Sequence, residues 1–291
     1  MAQVTPPPVI TAARDLLQHY DVLFCDVWGV LHDGFQAYPG AVRALTSFRK
    51  KGGTVVLVSN APVPAERVAR MLQDKKVDPE SWDEIVSSGA IALDHVSRMN
   101  YASVFVIGPR DRDAAFMEKL TARMVPLQDA DAIVCTGLND DRTETVSDYA
   151  LVLEEGRDRG LPFVCANPDL VVDVGGRHFV CAGALGEAYA ALGGSVFWAG
   201  KPHPSAYDTA HAKARALRQW DVPKSRILAI GDAIRTDLKS AESAGVDALF
   251  VTSGIHRADT MTGAAVDPVK LARALGPGSP PAIAATAYLD W

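Results

Sequence analysis

The chain has few cysteines and no close pair of them. Its four cysteines are scattered through apolar stretches, at positions 25, 135, 165 and 181. That spacing excludes the paired motifs of zinc and redox sites. Buried, reduced thiols are the expected state, which is typical of cytoplasmic proteins. Residues 1–10 (MAQVTPPPVI) have no basic flank and no long apolar core, so we expect no signal peptide.

The chain also lacks an excess of positive charge and any long hydrophobic run. Its formal net charge is −6 at pH 7, which argues against a nucleic-acid partner because phosphate-backbone binding requires a basic surface. A small phosphorylated ligand is compatible with this charge, since it responds to a few local donors and cations. No apolar run approaches the length of a membrane span. We therefore expect a soluble, cytoplasmic protein without a membrane partner.

What the chain does contain is ordinary globular composition, with 48% hydrophobic and 22% charged residues among its 291. Eight short apolar runs have the continuous hydrophobicity of strands that are buried on both faces. These runs are 21–26, 54–60, 103–108, 131–137, 162–167, 196–201, 226–232 and 248–254. Helical patterns lie between some of them, at 40–52, 64–77, 205–220 and 236–245.

This alternation of strands and helices predicts a parallel sheet with crossover helices. The predicted fold class is α/β, with a doubly wound, Rossmann-like core. The middle of the chain repeats the same alternation. We therefore predict that 85–184 form a smaller α/β cap domain, inserted into a core formed by 1–84 and 185–291. Ligands of such sheets bind at the carboxyl ends of the strands.

Carboxylates follow two of the predicted strands. Asp26 ends the first run, and in AIGDAIRTD (229–237) Asp232 ends a strand and Asp237 follows in the first helical turn. Carboxylates at one strand end repel each other unless a cation lies between them, and Mg²⁺ takes oxygen ligands together with substrate phosphate. The alternative is that Asp232 or Thr236 simply caps the helix. We favour the metal site because Asp26 would reach the same edge of the sheet.

Two further strand ends carry groups suited to a phosphate. Ser59 and Asn60 in VSNAP (58–62) offer a hydroxyl, an amide and backbone N–H groups, although the same residues are common in turns. Lys201 in AGKPHPSAY (199–207) could neutralise a nucleophilic carboxylate and a phosphoryl group. Taken alone, a solvated lysine at a strand end is the simpler interpretation.

Taken in order, these segments resemble the motifs of the haloacid dehalogenase-like hydrolase superfamily. The narrower resemblance is to its class IIA branch, which includes nitrophenyl phosphatase-like and sugar- or pyridoxal-phosphate phosphatase-like enzymes. The matching segments are DVWGVLHDG, VSNAP, GKPHPSAY and GDAIRTD, and ANPD is similar to a cap-domain motif. The resemblance implies Mg²⁺-dependent hydrolysis of a small phosphorylated metabolite, and caps of this class often pair, so a homodimer is a possible assembly.

The resemblance implies roles for the acids and the lysine. Asp26 would attack phosphorus and become an aspartyl-phosphate, which water then hydrolyses. Mg²⁺ would be held by Asp26, by the backbone carbonyl of Trp28 and by Asp232. Asp237 would lie outside these ligands and support them without binding the ion directly. Lys201 would balance the negative charge, as phosphoryl transfer requires.

Further roles concern the substrate. Ser59, Asn60 and Gly29 would contact the phosphoryl oxygens according to the resemblance. Asn167 and Asp169, in the cap-domain motif, would face the site and contribute to the choice of substrate.

The chain departs from the resemblance at Trp28. Phosphatases of the superfamily carry a second aspartate there, which acts as acid for the leaving group and base for the water. Loss of such help costs about 10²–10⁴ in rate. One possibility is a slow phosphatase, or one for esters with good leaving groups, in which His32 or Asp33 substitutes. The others are a catalytically impaired phosphate-ester-binding or regulatory protein and, ranked last because the metal-site pattern is retained, a dehalogenase-type hydrolase.

Overall fold

The computed structural model describes residues 6–174 and 177–291, so residues 1–5 of the N-terminal segment discussed above lie outside the described residues. The strands are β1 (Val22–Cys25), β2 (Thr54–Ser59), β3 (Glu84–Ser87), β4 (Ser103–Ile107), β5 (Arg123–Met124), β6 (Ala132–Cys135), β7 (Phe163–Cys165), β8 (Val171–Val174), β9 (Arg177–Val180), β10 (Val196–Trp198), β11 (Ile227–Gly231), β12 (Asp247–Val251), β13 (Met261–Thr262), β14 (Ala265–Val266) and β15 (Ala284–Thr286). The helices are α1 (Arg14–Leu17), α2 (Pro39–Lys50), α3 (Ala65–Asp74), α4 (Ser88–Met99), α5 (Ala114–Met117), α6 (Ala150–Asp158), α7 (Ala182–Ala191), α8 (Pro204–Arg218), α9 (Lys239–Ala244), α10 (Arg257–Thr260) and α11 (Pro268–Ala274). A π-helical turn, Ile234–Leu238, precedes α9.

The chain forms two compact units. The core unit comprises the segment that ends at Ser59, together with Ala69–Val86 and Tyr207–Trp291. The inserted unit comprises Asn60–Val68 and Ser87–Ala206.

The core unit is built on a six-stranded sheet in the order β15-β12-β11-β1-β2-β3. The pairs β1–β2, β1–β11, β11–β12 and β12–β15 are all parallel. Every residue of β1, β2 and β11 is buried, which explains their continuous hydrophobic runs. The chain proceeds outward from β1 in both directions, so the topological switch point lies between β1 and β11. The predicted α/β fold class is confirmed.

The inserted unit has its own sheet of five strands, in the order β10-β7-β6-β4-β5, and all neighbouring pairs are parallel. Tyr189 of α7 lies in the hydrophobic core of this unit, stacked on Phe163 with ring centroids 5.2 Å apart. The sequence predicts the end of this domain at residue 184, but α7 (Ala182–Ala191) runs across that position and β10 lies wholly beyond it. The inserted unit therefore continues past that boundary, because β10 completes its sheet.

All eight apolar runs contain a strand, and the four helical patterns correspond to α2, α3, α8 and α9 with the turn before it. Within the described residues, none of the helices combines the length and the apolar character needed to cross a membrane.

Candidate active site

The register of three central strands sets the first part of the site. Cys25 of β1 is paired with Leu57 of β2 and with Ile230 of β11. The backbone N–H of the next residue, Asp26, still donates to the carbonyl of Ile230 at 2.8 Å. The residues that follow each strand therefore emerge at one edge of the sheet, at the switch point. Asp26, Ser59 and Asp232 all lie at this edge.

Three acidic side chains meet there and form what we call the carboxylate cluster: Asp26, Asp232 and Asp237. One oxygen of each lies within 4.8 Å of an oxygen of the other two. The residues are 9%, 5% and 2% exposed, respectively. Buried carboxylates at this distance repel each other strongly because little water screens their charges. The predicted convergence of Asp26 and Asp232 is thus present.

Backbone groups hold the two acids of the later strand. Asp232 Oδ2 accepts a hydrogen bond from the N–H of Ile255 at 2.7 Å, and Asp237 Oδ2 accepts one from Ala233 at 3.1 Å. Ala233, the residue before the turn that begins at Ile234, makes no side-chain cap, and the N–H of Ile234 donates to His256 Nε2 at 3.4 Å. The alternative in which Asp232 or Thr236 caps this turn therefore does not apply. Asp232 instead binds the loop that follows β12.

Glycines allow the backbone to approach Asp232 closely. A Cβ at Gly29 would lie 2.2 Å from Asp232 Oδ2, and one at Gly254 would lie 1.8 Å from the same atom. Gly29 also has a φ of +81°, which other residues adopt at a cost. This packing places the peptide group between Trp28 and Gly29 beside the carboxylate cluster.

The carboxylate cluster fits a hard divalent cation. Carboxylate and backbone carbonyl oxygens are the ligands that Mg²⁺ and Ca²⁺ take in proteins. A cation would also offset the mutual repulsion of Asp26, Asp232 and Asp237. The chemistry of the donor set therefore agrees with the predicted metal site.

Trp28 is packed in a tightly hydrogen-bonded loop between β1 and α2. Its indole ring lies against Gly34, where a Cβ would be 2.7 Å from Cη2. It also meets the ring of His32 edge-on, with centroids 5.1 Å apart. The Gly29 N–H donates to the carbonyl of His32 at 2.8 Å, and Lys75 donates to the carbonyl of Gly34. The tryptophan is part of the structure of this loop.

His32 and Asp33, the two candidates to replace the missing acid, make hydrogen bonds within the same loop. His32 is 1% exposed, and its Nδ1 accepts a hydrogen bond from the N–H of Gly34 at 2.9 Å. Burial, together with the charge of Lys75, lowers the pKa of His32 to about 4. Asp33 Oδ1 accepts hydrogen bonds from the N–H groups of Phe35 and Gln36, both at 2.8 Å. These contacts argue against a proton-transfer role for either side chain.

In the inserted unit, the side chain of Asn60 holds the backbone of Lys201. Asn60 Oδ1 accepts from the Lys201 N–H at 2.8 Å, and Asn60 Nδ2 donates to the Lys201 carbonyl at 2.9 Å. Gly200 makes this approach possible, since a Cβ there would lie 2.6 Å from Asn60 Oδ1. Lys201 is only 2% exposed, and buried lysines are rare unless they have a partner or a function. The arrangement fixes the position of a buried ammonium group.

The cap-motif residues are connected to the same network. Asn60 Nδ2 also donates to Asp169 Oδ1 at 2.9 Å, and the Asp169 N–H donates to Asn167 Oδ1 at 3.0 Å. These bonds join the side chains of Asn60 and Asp169 to the segment that carries Lys201. Contact of Asn60, Asn167 and Asp169 with substrate stays a prediction. The backbone N–H of Asn60 stays a predicted phosphate donor.

The sequence analysis missed the segment Ser253–Gly254–Ile255, which contacts Asp232 directly. The position of this segment in the sequence points to the same sheet edge, because these residues follow β12 just as Asp232 follows β11. Glycine and serine carry no recognisable chemistry of their own, so the pattern does not single them out. Only the packing of the two strand ends reveals the contact.

Comparison with known proteins agrees with this geometry. The family described as haloacid dehalogenase-like hydrolase matches residues 23–122, and a related family, described as HAD-hydrolase-like, matches 198–276. A solved hydrolase of the haloacid dehalogenase-like family from Brucella suis 1330 is 38% identical, with a TM-score of 0.83, over 96% of this chain and 99% of that one. The chain belongs to the haloacid dehalogenase-like hydrolase family. The predicted family is confirmed.

Two proteins named as phosphatases are also similar over most of the chain. An acid sugar phosphatase from Staphylococcus aureus (strain MRSA252) is 24% identical, over 87% of this chain and 94% of that protein. A glycerol phosphate phosphatase from Mycobacterium tuberculosis was solved with calcium (26% identity, TM-score 0.63, 82% of this chain and 68% of that one). The same protein was also solved with magnesium (24% identity, TM-score 0.64, 88% of this chain and 77% of that one).

Proposed function

We propose that this chain is a Mg²⁺-dependent phosphomonoester hydrolase that acts on a small phosphorylated metabolite. The observation that carries the proposal is the carboxylate cluster, three buried acids at the switch point of the core sheet. The names of two relatives support it, since one is an acid sugar phosphatase and the other a glycerol phosphate phosphatase that binds magnesium. Small phosphorylated sugars and polyols are therefore the first substrates to test.

Asp26 is the proposed nucleophile. One of its carboxylate oxygens would bond to phosphorus while the bond from phosphorus to the leaving oxygen breaks, with the electron pair going to that oxygen. Water would then attack phosphorus and release inorganic phosphate and the Asp26 carboxylate. Asp26 and Asp232 would hold Mg²⁺ together with the Trp28 carbonyl, and Asp237 would steady this set. When bound, the ion neutralises negative charge on the carboxylates and the phosphoryl group.

Further residues are proposed to bind the phosphoryl group. Ser59 at the end of β2 and the backbone N–H of Asn60 offer donors for its oxygens, whereas the N–H of Gly29 already donates to the carbonyl of His32. Lys201 would supply positive charge to the reaction, with Asn60 as the residue that positions it. Asn167 and Asp169 would influence substrate choice indirectly, through this positioning.

Transfer of a proton to the leaving group is the weak point of this enzyme. The loop after Asp26 carries Trp28 where an acid is expected, and the contacts of His32 and Asp33 commit both to the structure of the loop. This favours a slow phosphatase, or one for esters whose leaving oxygen needs no proton. It also favours a second candidate function, a protein that binds phosphate esters without turning them over.

Hydrolysis of 4-nitrophenyl phosphate separates these candidates. We expect turnover with Mg²⁺, none after chelation, and none in Asp26→Asn with Mg²⁺ present. Asp15→Asn, an exposed acid of α1 outside the site, is the matched control and should match wild type. Tight binding of phosphate esters without turnover would support the binding protein instead, and metal-independent halide release from a 2-haloacid would support a dehalogenase.

The cytoplasm is the proposed location. All four cysteines are buried thiols, and the described residues contain no disulfide, as expected in a reducing compartment. Burial raises the pKa of Cys181 to about 12, so this thiol stays protonated and unreactive.

A further inference from the structure

Three hydrogen-bond donors from distant segments of the core unit come together in what we call the donor cluster: Tyr38, Arg257 and Tyr288. Tyr38 precedes α2, Arg257 begins α10, and Tyr288 lies near the end of the chain. The two tyrosine rings meet edge to face, with centroids 5.5 Å apart. Arg257 Nη1 donates to the hydroxyl of Tyr288 at 2.6 Å. None of the three belongs to the segments that carry the family resemblance.

Arg257 has a defined position but no acidic partner. Its Nη2 donates to the carbonyl of Gly263 at 3.2 Å, so the guanidinium is anchored on both sides. Both acceptors are neutral, and no acidic side chain of the described residues forms an ion pair with Arg257. A guanidinium matches the geometry of a carboxylate or phosphate, which it can bind through two parallel hydrogen bonds. An anchored arginine with neutral acceptors is therefore suited to an anionic ligand.

The two tyrosines add neutral donors to this charge. The Tyr288 oxygen accepts from Arg257, so its own proton remains to be donated elsewhere. Burial, and then the nearby charge of Asp33, raises the pKa of Tyr38 to about 12, which keeps that hydroxyl protonated. Asp232 also contributes to this raised pKa, and Arg257 opposes it. The backbone gives the geometry: the N–H of Arg257 donates to the carbonyl of Gly254 at 3.0 Å, and Gly254 packs against Asp232. The donor cluster therefore lies beside the carboxylate cluster.

We propose that the donor cluster binds a second anionic group, a carboxylate or a second phosphate, on the phosphorylated substrate. This inference rests on the proposed function and adds the substrate class to it. Asp26 would act on one phosphoryl group while Arg257, Tyr38 and Tyr288 hold the other anionic group. Arg257 would then determine specificity through binding and would take no part in the chemical step.

A matched pair of substrates tests the proposal. 3-Phosphoglycerate and glycerol 3-phosphate differ only in a carboxylate that replaces a hydroxymethyl group. We expect wild type to prefer 3-phosphoglycerate, and Arg257→Met to lower the ratio of the two kcat/KM values about 10- to 100-fold, because charged hydrogen bonds are lost. The change should appear in KM. Arg257→Lys should retain part of the preference, and Arg273→Met, an exposed arginine of α11, should retain all of it.

Several outcomes would overturn the inference while the proposed function stands. These are equal hydrolysis of both substrates by wild type, or an unchanged ratio in Arg257→Met. An Arg257-dependent change in kcat for 4-nitrophenyl phosphate on adding free malonate would make the donor cluster an effector site and also overturn it. If wild type hydrolyses neither ester, calorimetry of both ligands on Asp26→Asn, with and without Arg257→Met, still tests the preference. The proposed function fails only if 4-nitrophenyl phosphate is not hydrolysed either.

Discussion

In the proposed mechanism, the residue at position 28 limits the rate. Trp28 cannot give or take a proton, so it cannot assist the departure of the leaving oxygen. We predict that Trp28→Asp raises kcat/KM for glycerol 3-phosphate by about 10²-fold or more. The gain should be much smaller for 4-nitrophenyl phosphate, because nitrophenolate is a stable anion. Steady-state kinetics on both substrates measure the difference.

Trp28→Phe is the control for this change, since it removes indole packing against Gly34 without adding an acid. It should not raise the rate on either substrate. If Trp28→Asp folds as judged by circular dichroism yet accelerates neither ester, another group already transfers the proton. Tyr38→Phe and His256→Asn, which alter two other titratable side chains of the core unit, would then locate it.

Gly29 is a second single residue on which the site depends. A Cβ there would meet Asp232 Oδ2 at 2.2 Å, and the φ of +81° disfavours any side chain. We predict that Gly29→Ala weakens Mg²⁺ binding and abolishes most activity. Gly52→Ala is a matched control, because Gly52 has a φ of +89° but nothing within 4 Å of its Cβ position. Gly52→Ala should lower the free energy of unfolding by about 1 kcal/mol and leave the Mg²⁺ titration unchanged. Equal Mg²⁺ affinities in the two variants would show that the close packing of Gly29 against Asp232 does not matter for Mg²⁺ binding.

At the scale of elements, the loop between β1 and α2 depends on a neutral His32. Its pKa is about 4 in the folded chain against 6.5 in a model peptide, so the folded state binds fewer protons than the unfolded state between these values. The resulting stability is present above pH 6.5 and is lost as the pH falls towards 4. The loss is at most about 3 kcal/mol.

The variant His32→Asn isolates this contribution, since asparagine Oδ1 can accept the Gly34 hydrogen bond but does not titrate. Urea unfolding of both proteins at several pH values between 7.5 and 4.5 measures it. We expect the free energy of unfolding to fall more steeply in wild type than in the variant. Parallel curves would show that His32 has the same pKa in both states.

A second feature at the scale of elements is the hydrogen-bond network that joins Asn60, Asp169 and Lys201. If Asn60 acts by positioning Lys201, its removal should matter only while the lysine is present. We predict that Asn60→Ala and Lys201→Met each lower kcat at least tenfold, and that the double variant is little worse than Lys201→Met alone, because coupled residues are not additive. Ser97→Ala, on α4 of the same unit, should leave kcat unchanged. Additive losses would mean that Asn60 contacts substrate independently.

For the whole molecule, the sequence predicts the architecture better than the details of the site. Strands such as β1 and β2 are buried on both faces, so their composition alone distinguishes them. The sequence analysis predicts neither β3 nor β15, and β15 is three residues of alanine and threonine with little apolar signal. It predicts the end of the inserted domain at residue 184, whereas the three-residue strand β10 lies beyond that position and pairs with β7.

The site divides in the same way. Asp26, Asp232 and Asp237 are recognisable from sequence because each is an acid near the end of a buried strand. The hydrogen bonds of Asn60 with Asp169 and with the Lys201 carbonyl cannot be predicted in this way, because they join segments more than 100 positions apart in the sequence. The donor cluster escapes sequence reasoning for the same reason. Tyrosines and arginines are common at surfaces, and only folding brings 38, 257 and 288 together.

The carboxylate cluster also has a consequence for the stability of the whole chain. Mutual repulsion of the three buried acids costs free energy that a bound cation would offset. A ligand that binds only the folded state adds about 2.7 kcal/mol to its stability at one hundred times its Kd. We predict that Mg²⁺ raises the melting temperature of wild type, whereas Asp232→Asn is more stable than wild type in chelator and gains little from Mg²⁺. Asp259→Asn, an exposed acid of α10, should respond to Mg²⁺ like wild type. If Asp232→Asn and wild type gain the same stability from Mg²⁺, the ion binds elsewhere, and the three carboxylates would have to be stabilised by other groups.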